Sequence, residues 1–231
     1  ETIEQNNLHV FLFDELDYSI LYDLRGKVKK KYSNIHNFSN KSINLHNARS
    51  PGSATIQSMP QLLNGKRINN VKVCQDTLCS GDDKESKILE TKKNIFNIAK
   101  KYNFKTTLIG YAHQYCELYK DSLDYCRSYG IYNYSSFNKS FSLLNPIFTN
   151  IILLPYQMPF GLLKNPVYSN LHHKNNINVK SLILDIIEKS KDGSVFTFVH
   201  HNLPHSPFIY KDDTYKPGLN PFQQSMEKYE A

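Results

Sequence analysis

Two adjacent carboxylates, Asp14 and Glu15, directly follow the short apolar run 9–13. That run is rich in β-formers and reads as a buried strand whose carboxyl end delivers the two acids. Adjacent carboxylates cannot both be buried as anions without a compensating cation. A divalent metal is the natural counter-charge, and hard oxygen ligands suit Zn, Mn, Mg or Ca. The competing reading is structural, because acids after a strand often begin a helix. Thr55 is the second candidate. It stands where a short helix reads as starting, with Ser53 or Thr55 as its cap and Gly65 as its stop. A hydroxyl there can cap the helix or, next to a metal, attack an anionic group held at the helix N-terminus. Four histidines complete the set: His113, His200, His201 and His205. Imidazoles can bind an anion or protonate a leaving group. As loop residues they can equally bond to backbone.

The elements that must position these groups follow from hydrophobic patterning. Segments 9–13, 104–111 and 194–199 read as buried strands, and 70–74 as a shorter one. Helical spacing is seen at 87–102 and 179–189, and 115–124 carries a weaker helical signal. Segments 75–86 and 127–142 read as polar or aromatic loops, and 24–50 as a polar, basic loop with room for one short helix. The tail after 208 reads as a Pro/Gly loop and the first turns of a further helix. Strands alternating with helices predict one α/β domain over residues 1–231, a mainly parallel central sheet with helices on both faces. In such sheets the site lies off the carboxyl ends of the strands. Asp14 and Glu15, segment 110–113, and His200 with His201 all fall at such ends.

Composition narrows the class. The chain has 231 residues, 40% hydrophobic and 13% aromatic, which excludes a wholly disordered chain. No apolar run approaches the ~20 residues of a membrane-spanning helix; the longest, 147–156, is interrupted by polar residues. The N-terminal ETIEQNN is polar and acidic, unlike a signal peptide. Without an initiator Met the chain is expected to be a processed product or an excised piece, with any membrane anchor or export signal upstream. Net charge is 28 − 21 = +7. The one dense basic cluster, Arg25, Lys27, Lys29, Lys30 and Lys31, reads as a solvated face, and no nucleic-acid motif accompanies it. Nucleic acid is therefore not the expected partner. The four cysteines form two local pairs, Cys74/Cys79 and Cys116/Cys126. Disulfides in an oxidising compartment fit the even count. A zinc site would usually show C-x2-C spacing, which neither pair has. Buried free thiols are the remaining alternative.

The segment TIQSMPQLLNGK (55–66) resembles the alkaline phosphatase/sulfatase superfamily. Its sulfatase branch reads C/S-x-P-S-R-x-x-x-L-x-G-R, and Thr55 and Ser58 occupy the nucleophile and serine positions relative to Gly65. Its phosphoethanolamine transferases read T-x-x-S-x-P, matched by Thr55, Ser58 and Pro60. FLFDELD (11–17) is similar to the strand that ends in the family's acidic metal ligand, and VHHNLPHSP (199–207) to its H-x-x-x-P-H-x-P. GYAH (110–113) is similar to its G-x-x-H.

The resemblance implies a metal-dependent hydrolase or group transferase of phosphate or sulfate esters. Asp14, Glu15 and Thr55 would hold the divalent metal, Thr55 and His205 would be catalytic, and His113, His200 and His201 would bind the anionic ester. Thr55 cannot become the formylglycine of ordinary sulfatases, and Gln57 and Met59 replace the signature's Pro and Arg. Phosphoryl-type transfer is thus favoured. The family's later Asp-His pair and further His lie beyond the point matching Ala231, so an incomplete metal site truncated at the C-terminus is implied. An extracytoplasmic location, periplasmic or cell-surface, is implied as well. The alternative is a non-catalytic binding or structural module that keeps the fold.

Overall fold

The computed structural model describes residues 7–74, 77–82, 85–111, 113–129, 135–136, 166–189 and 193–204; within 166–189 it describes the side chains of 173 and 176–188. The two most apolar strands are central. β5 (Lys105–Tyr111) and β8 (Val195–His201) are buried on both faces almost throughout, as strands covered by helices on either side must be. They belong to a five-stranded sheet in the order β1-β8-β5-β6-β7. β1 is Leu8–Phe13, β6 is Tyr125–Tyr129 and β7 is Ser135–Ser136. All pairings are parallel except β6 with β7. The chain leaves β1, passes through its helices to β5, and fills the gap between them last with β8.

One face of the sheet is covered by α3 (Thr55–Asn64), α4 (Ile95–Lys101) and α5 (Tyr115–Leu118). Met59, Leu63, Phe96, Tyr115 and Tyr119 pack there on Leu108, Phe196 and Phe198. Phe96 is the hub, with ring centroids 5.7 Å from Phe196 and 5.9 Å from Tyr119. The other face is covered by α6 (Pro166–Lys189), whose Val179, Leu182, Ile183 and Ile186 meet Ile109, Tyr111, Tyr129 and Val199. The shorter helices α1 (Tyr18–Leu21) and α2 (Ser33–Ser39) lie in the excursion after β1. No described helix is long and apolar enough to cross a membrane.

Three expectations need correction. Segment 87–102 is not one helix: α4 begins at Ile95, because Asn94, 1% exposed, caps it by accepting from Asn97 N at 2.9 Å. Its upstream apolar residues are used elsewhere. Lys87–Ile88 is β4, and Leu89 joins Val71 and Leu78 in a small separate core. Segment 75–86 is not all loop: β3 (Thr77–Ser80) pairs antiparallel with β2 (Lys72–Cys74) and with β4. Segment 127–142 includes the end of β6, and β7. The run 147–156 and the tail after 208 lie outside the described residues. Both cysteine pairs are disulfides, Cys74–Cys79 tying β2 to β3 and Cys116–Cys126 tying α5 to β6, and no described cysteine is free.

Candidate active site

The parallel register brings the chemistry-bearing residues to one edge. Phe13 lies opposite His201 and Ile109 opposite Val199, so Asp14, His200 and the segment after Tyr111 leave the sheet together. Asp14 N–H donates to the His201 carbonyl at 2.9 Å, which extends the β1–β8 ladder by one step and fixes the start of the acidic turn. Glu15 then takes a left-handed backbone, φ 58°, and is exposed. A non-glycine residue in that conformation carries strain of about 1 kcal/mol or more. Asp17 ends the turn by capping α1, its Oδ1 accepting from Ser19 N.

Thr55 is the first residue of α3. Neither it nor Ser53 caps the helix: Ala54 is the N-cap and supplies no side-chain bond, while Ser53 Oγ donates to Gln57 Oε1 at 3.1 Å. The helix therefore starts uncapped, and its first N–H groups point where an anion would be favoured. At the other end Gly65 (φ 61°) stops the helix as expected, with Gly65 N–H and Lys66 N–H bonding back to Leu62 O and Gln61 O.

His113 stands just past β5, with its ring close enough to the Thr55 backbone to be influenced by it. Burial first, and then the neighbouring His200, lower its pKa to about 4 against the opposing pull of Asp14 and the Thr55 backbone. The ring is thus neutral near pH 7, and its Nε2 is buried without a protein partner. His200 is fully buried. Its Nε2 faces Asp14 Oδ2 at 3.6 Å, too long to count as a hydrogen bond. Its Nδ1 lies 2.8 Å from the Tyr115 hydroxyl. Asp14, His113, His200 and the start of α3 therefore share one site.

His201 points to the opposite face, as successive strand residues must. Its Nδ1 accepts from Leu203 N–H at 3.0 Å, its ring sits 6.0 Å from Phe13, and burial followed by the His200 charge lowers its pKa to about 4. His205 lies outside the described residues. Sequence reasoning missed Tyr115 and Tyr129, whose hydroxyls engage His200 at its ring and, at 3.3 Å, its carbonyl. A signal was present in Gly110: a glycine inside a buried strand marks close approach, and here the Tyr115 ring occupies the space a Cβ would take.

Among the described residues no three His, Cys, Asp or Glu side chains gather closely enough to hold a metal ion by themselves. The oxygen donors present, the Asp14 and Glu15 carboxylates and the Thr55 hydroxyl, are of the hard type that divalent cations take. Buried imidazole nitrogens without a hydrogen-bond partner, on His113 and His200, lie near Asp14 and the Thr55 backbone.

The sulfatase family model matches residues 7–230, and the chain belongs to the sulfatase family. Members of that family typically use divalent metals. No curated relative matches the chain.

Proposed function

We propose that this protein is a metal-dependent sulfatase-family enzyme that transfers or hydrolyses phosphate-type esters through Thr55. The observation that carries this reading is the approach of the His113 ring to the Thr55 backbone, beside Asp14 and His200. It joins an uncapped helix start, a carboxylate and two imidazoles in one place. Asp14, Glu15 and Thr55 would hold the cation, which supplies positive charge that acidifies the hydroxyl and offsets the ester's negative oxygens. Thr55 Oγ then forms a bond to phosphorus as the ester P–O bond breaks, and an acceptor or water later releases the group. The α3 N-terminus favours the anionic group in transit. His113, held neutral, accepts or returns a proton, and His205 is assigned to protonating the departing oxygen. His201, on the opposite face of the strand, is given no part in binding the ester. The two disulfides support an extracytoplasmic location, since stable disulfides are rare in the cytosol.

The test is Thr55→Ala in the intact protein, supplied with Zn or Mn and assayed on nitrophenyl phosphate and nitrophenyl sulfate. Phosphate turnover should be lost, with little turnover of sulfate in either protein. Stability should change by less than about 0.5 kcal/mol, because Thr55 caps nothing and Ala is a good helix residue. A variant hydrolysing nitrophenyl phosphate at the wild-type rate sinks the threonine mechanism.

A further inference from the structure

Tyr115, His200 and Asp14 form a line of polar groups running from the core to the site. The first two are fully buried, with relative exposures of 1% and 0%. Among the described residues the Tyr115 hydroxyl has one hydrogen-bond partner, His200 Nδ1 at 2.8 Å. A hydroxyl brings one hydrogen, and a neutral imidazole carries one N–H and one bare nitrogen. Were the His200 proton on Nδ1, it would point at the hydroxyl oxygen, and the hydroxyl hydrogen would then be buried with nothing to accept it. Such orphaned donors are disfavoured. The hydroxyl therefore donates, Nδ1 accepts, and the ring proton sits on Nε2. That nitrogen has no hydrogen-bond partner, and the atom it faces is Asp14 Oδ2 at 3.6 Å.

We propose that Tyr115 is a positioning residue that fixes His200 as its Nε2–H tautomer, so that His200 turns an N–H toward the Asp14 carboxylate and is itself neither a metal ligand nor a substrate contact. This rests on the reading of Asp14 as a site carboxylate. The surroundings of Tyr115 support it. Its ring lies against Gly110, whose missing Cβ leaves the room, and stands edge-on to His200 with centroids 5.9 Å apart. The next residue, Cys116, is bound by disulfide to Cys126. The Tyr129 hydroxyl donates to the His200 carbonyl at 3.3 Å and holds the backbone of the same residue. A histidine with no exposed surface, held at ring and carbonyl, is placed to orient a neighbour.

The experiment pairs nitrogen NMR with kinetics on the intact protein. Long-range proton–nitrogen correlations identify which nitrogen of the His200 ring carries the proton. In wild type this should be Nε2. Tyr115→Phe keeps the ring that fills the Gly110 space and removes only the hydroxyl, so the Nδ1 resonance should move and the single tautomer should be lost. Turnover of nitrophenyl phosphate should fall on the order of tenfold, in kcat more than in KM, as for other residues that orient a ligand from behind. His200→Gln, whose amide N–H reaches toward the Nε2 position, should retain more activity than His200→Asn. Protonation at Nδ1 in wild type overturns the proposal, and so does a Tyr115→Phe protein with unchanged ring resonances and unchanged kcat. If Tyr115→Phe does not fold, the wild-type spectrum decides. If wild type turns over no ester, the enzymatic reading fails, while the tautomer is still settled by the spectrum.

Discussion

Gly110→Ala is the sharpest test of how the site is packed. A Cβ built on Gly110 would stand 2.0 Å from Tyr115 Cδ2, 2.6 Å from Cε2 and 2.9 Å from Cγ. Ordinary carbon contacts begin at about 3.5 Å, so the ring must retreat by about 1.5 Å at its nearest atom. It has no open space to retreat into. Tyr115 is buried, edge-on to His113 at 5.4 Å and to His200 at 5.9 Å. Overpacking of this kind costs roughly 1–3 kcal/mol. Losing the Tyr115–His200 hydrogen bond and stranding its buried partner adds roughly 1–3 kcal/mol. A destabilisation of roughly 2–6 kcal/mol is therefore expected, a large share of the 5–15 kcal/mol typical of a folded domain. Urea denaturation should show it as a midpoint lowered on the order of 1 M. The control is the double-mutant cycle with Tyr115→Ala. With the ring gone, Gly110→Ala should cost less than about 1 kcal/mol. The same cost in both backgrounds, or a Gly110→Ala protein within about 0.5 kcal/mol of wild type, refutes the reasoning.

Two further predictions concern stability. His113 and His201 both have folded pKa values near 4, below the ordinary 6.5, because burial disfavours the charged ring. Their contribution is therefore fully present above pH 6.5 and is lost as pH falls toward 4. Between pH 7 and pH 5, in chelator, each should account for about 2 kcal/mol of lost stability. His201→Gln should flatten that slope in denaturant titrations, and an unchanged slope would show the burial effect to be wrong. For the disulfides, Cys116–Cys126 closes a loop with a sequence separation of 10, and removing it by Cys116→Ser with Cys126→Ser should cost roughly 3 kcal/mol. Both of its cysteines are buried, whereas Cys74 is partly exposed. Limiting reductant followed by mass mapping of alkylated thiols should find Cys74–Cys79 opening first; the reverse order would contradict the burial.

The central sheet was legible because its two inner strands are covered on both faces, which forces continuous apolar sequence at 104–111 and 194–199. The Gly65 stop was legible for a local reason, the left-handed conformation that glycine takes cheaply. The small sheet was legible only at β2, read as a strand over 70–74; β3 and β4 were not. β2, β3 and β4 are two to four residues long, and their stability comes from a distant core of Val71, Leu78 and Leu89 and from the Cys74–Cys79 bridge. Ile88 and Leu89 matched a helical period by chance of spacing. The buried Asn94, bonded to Ser122 Oγ at 2.8 Å across 28 residues, then decided where the helix begins. β6 was hidden by Arg127 and Ser128, and its place beside β5 is a long-range fact that no local window carries.

At the site, strand ends named the region and pairing register sorted its members. His200 and His201 are adjacent, so a sequence alone treats them alike. A strand cannot, since its side chains alternate between faces. The register Leu12↔His200 and Phe13↔His201 sends His200 toward α3 and α5, where Asp14, His113 and Tyr115 are found, and His201 toward the opposite face. A slip of one residue between β1 and β8 would exchange the two. What opposes the slip is the core: Phe196 and Phe198 pack with Phe96 on the same face as His200, while Val199 meets Val179 on the other. The imidazole that reaches Asp14 is thus selected by aromatic packing one and two turns of the pleat away. That is why two identical residues in sequence hold different chemical positions in the fold.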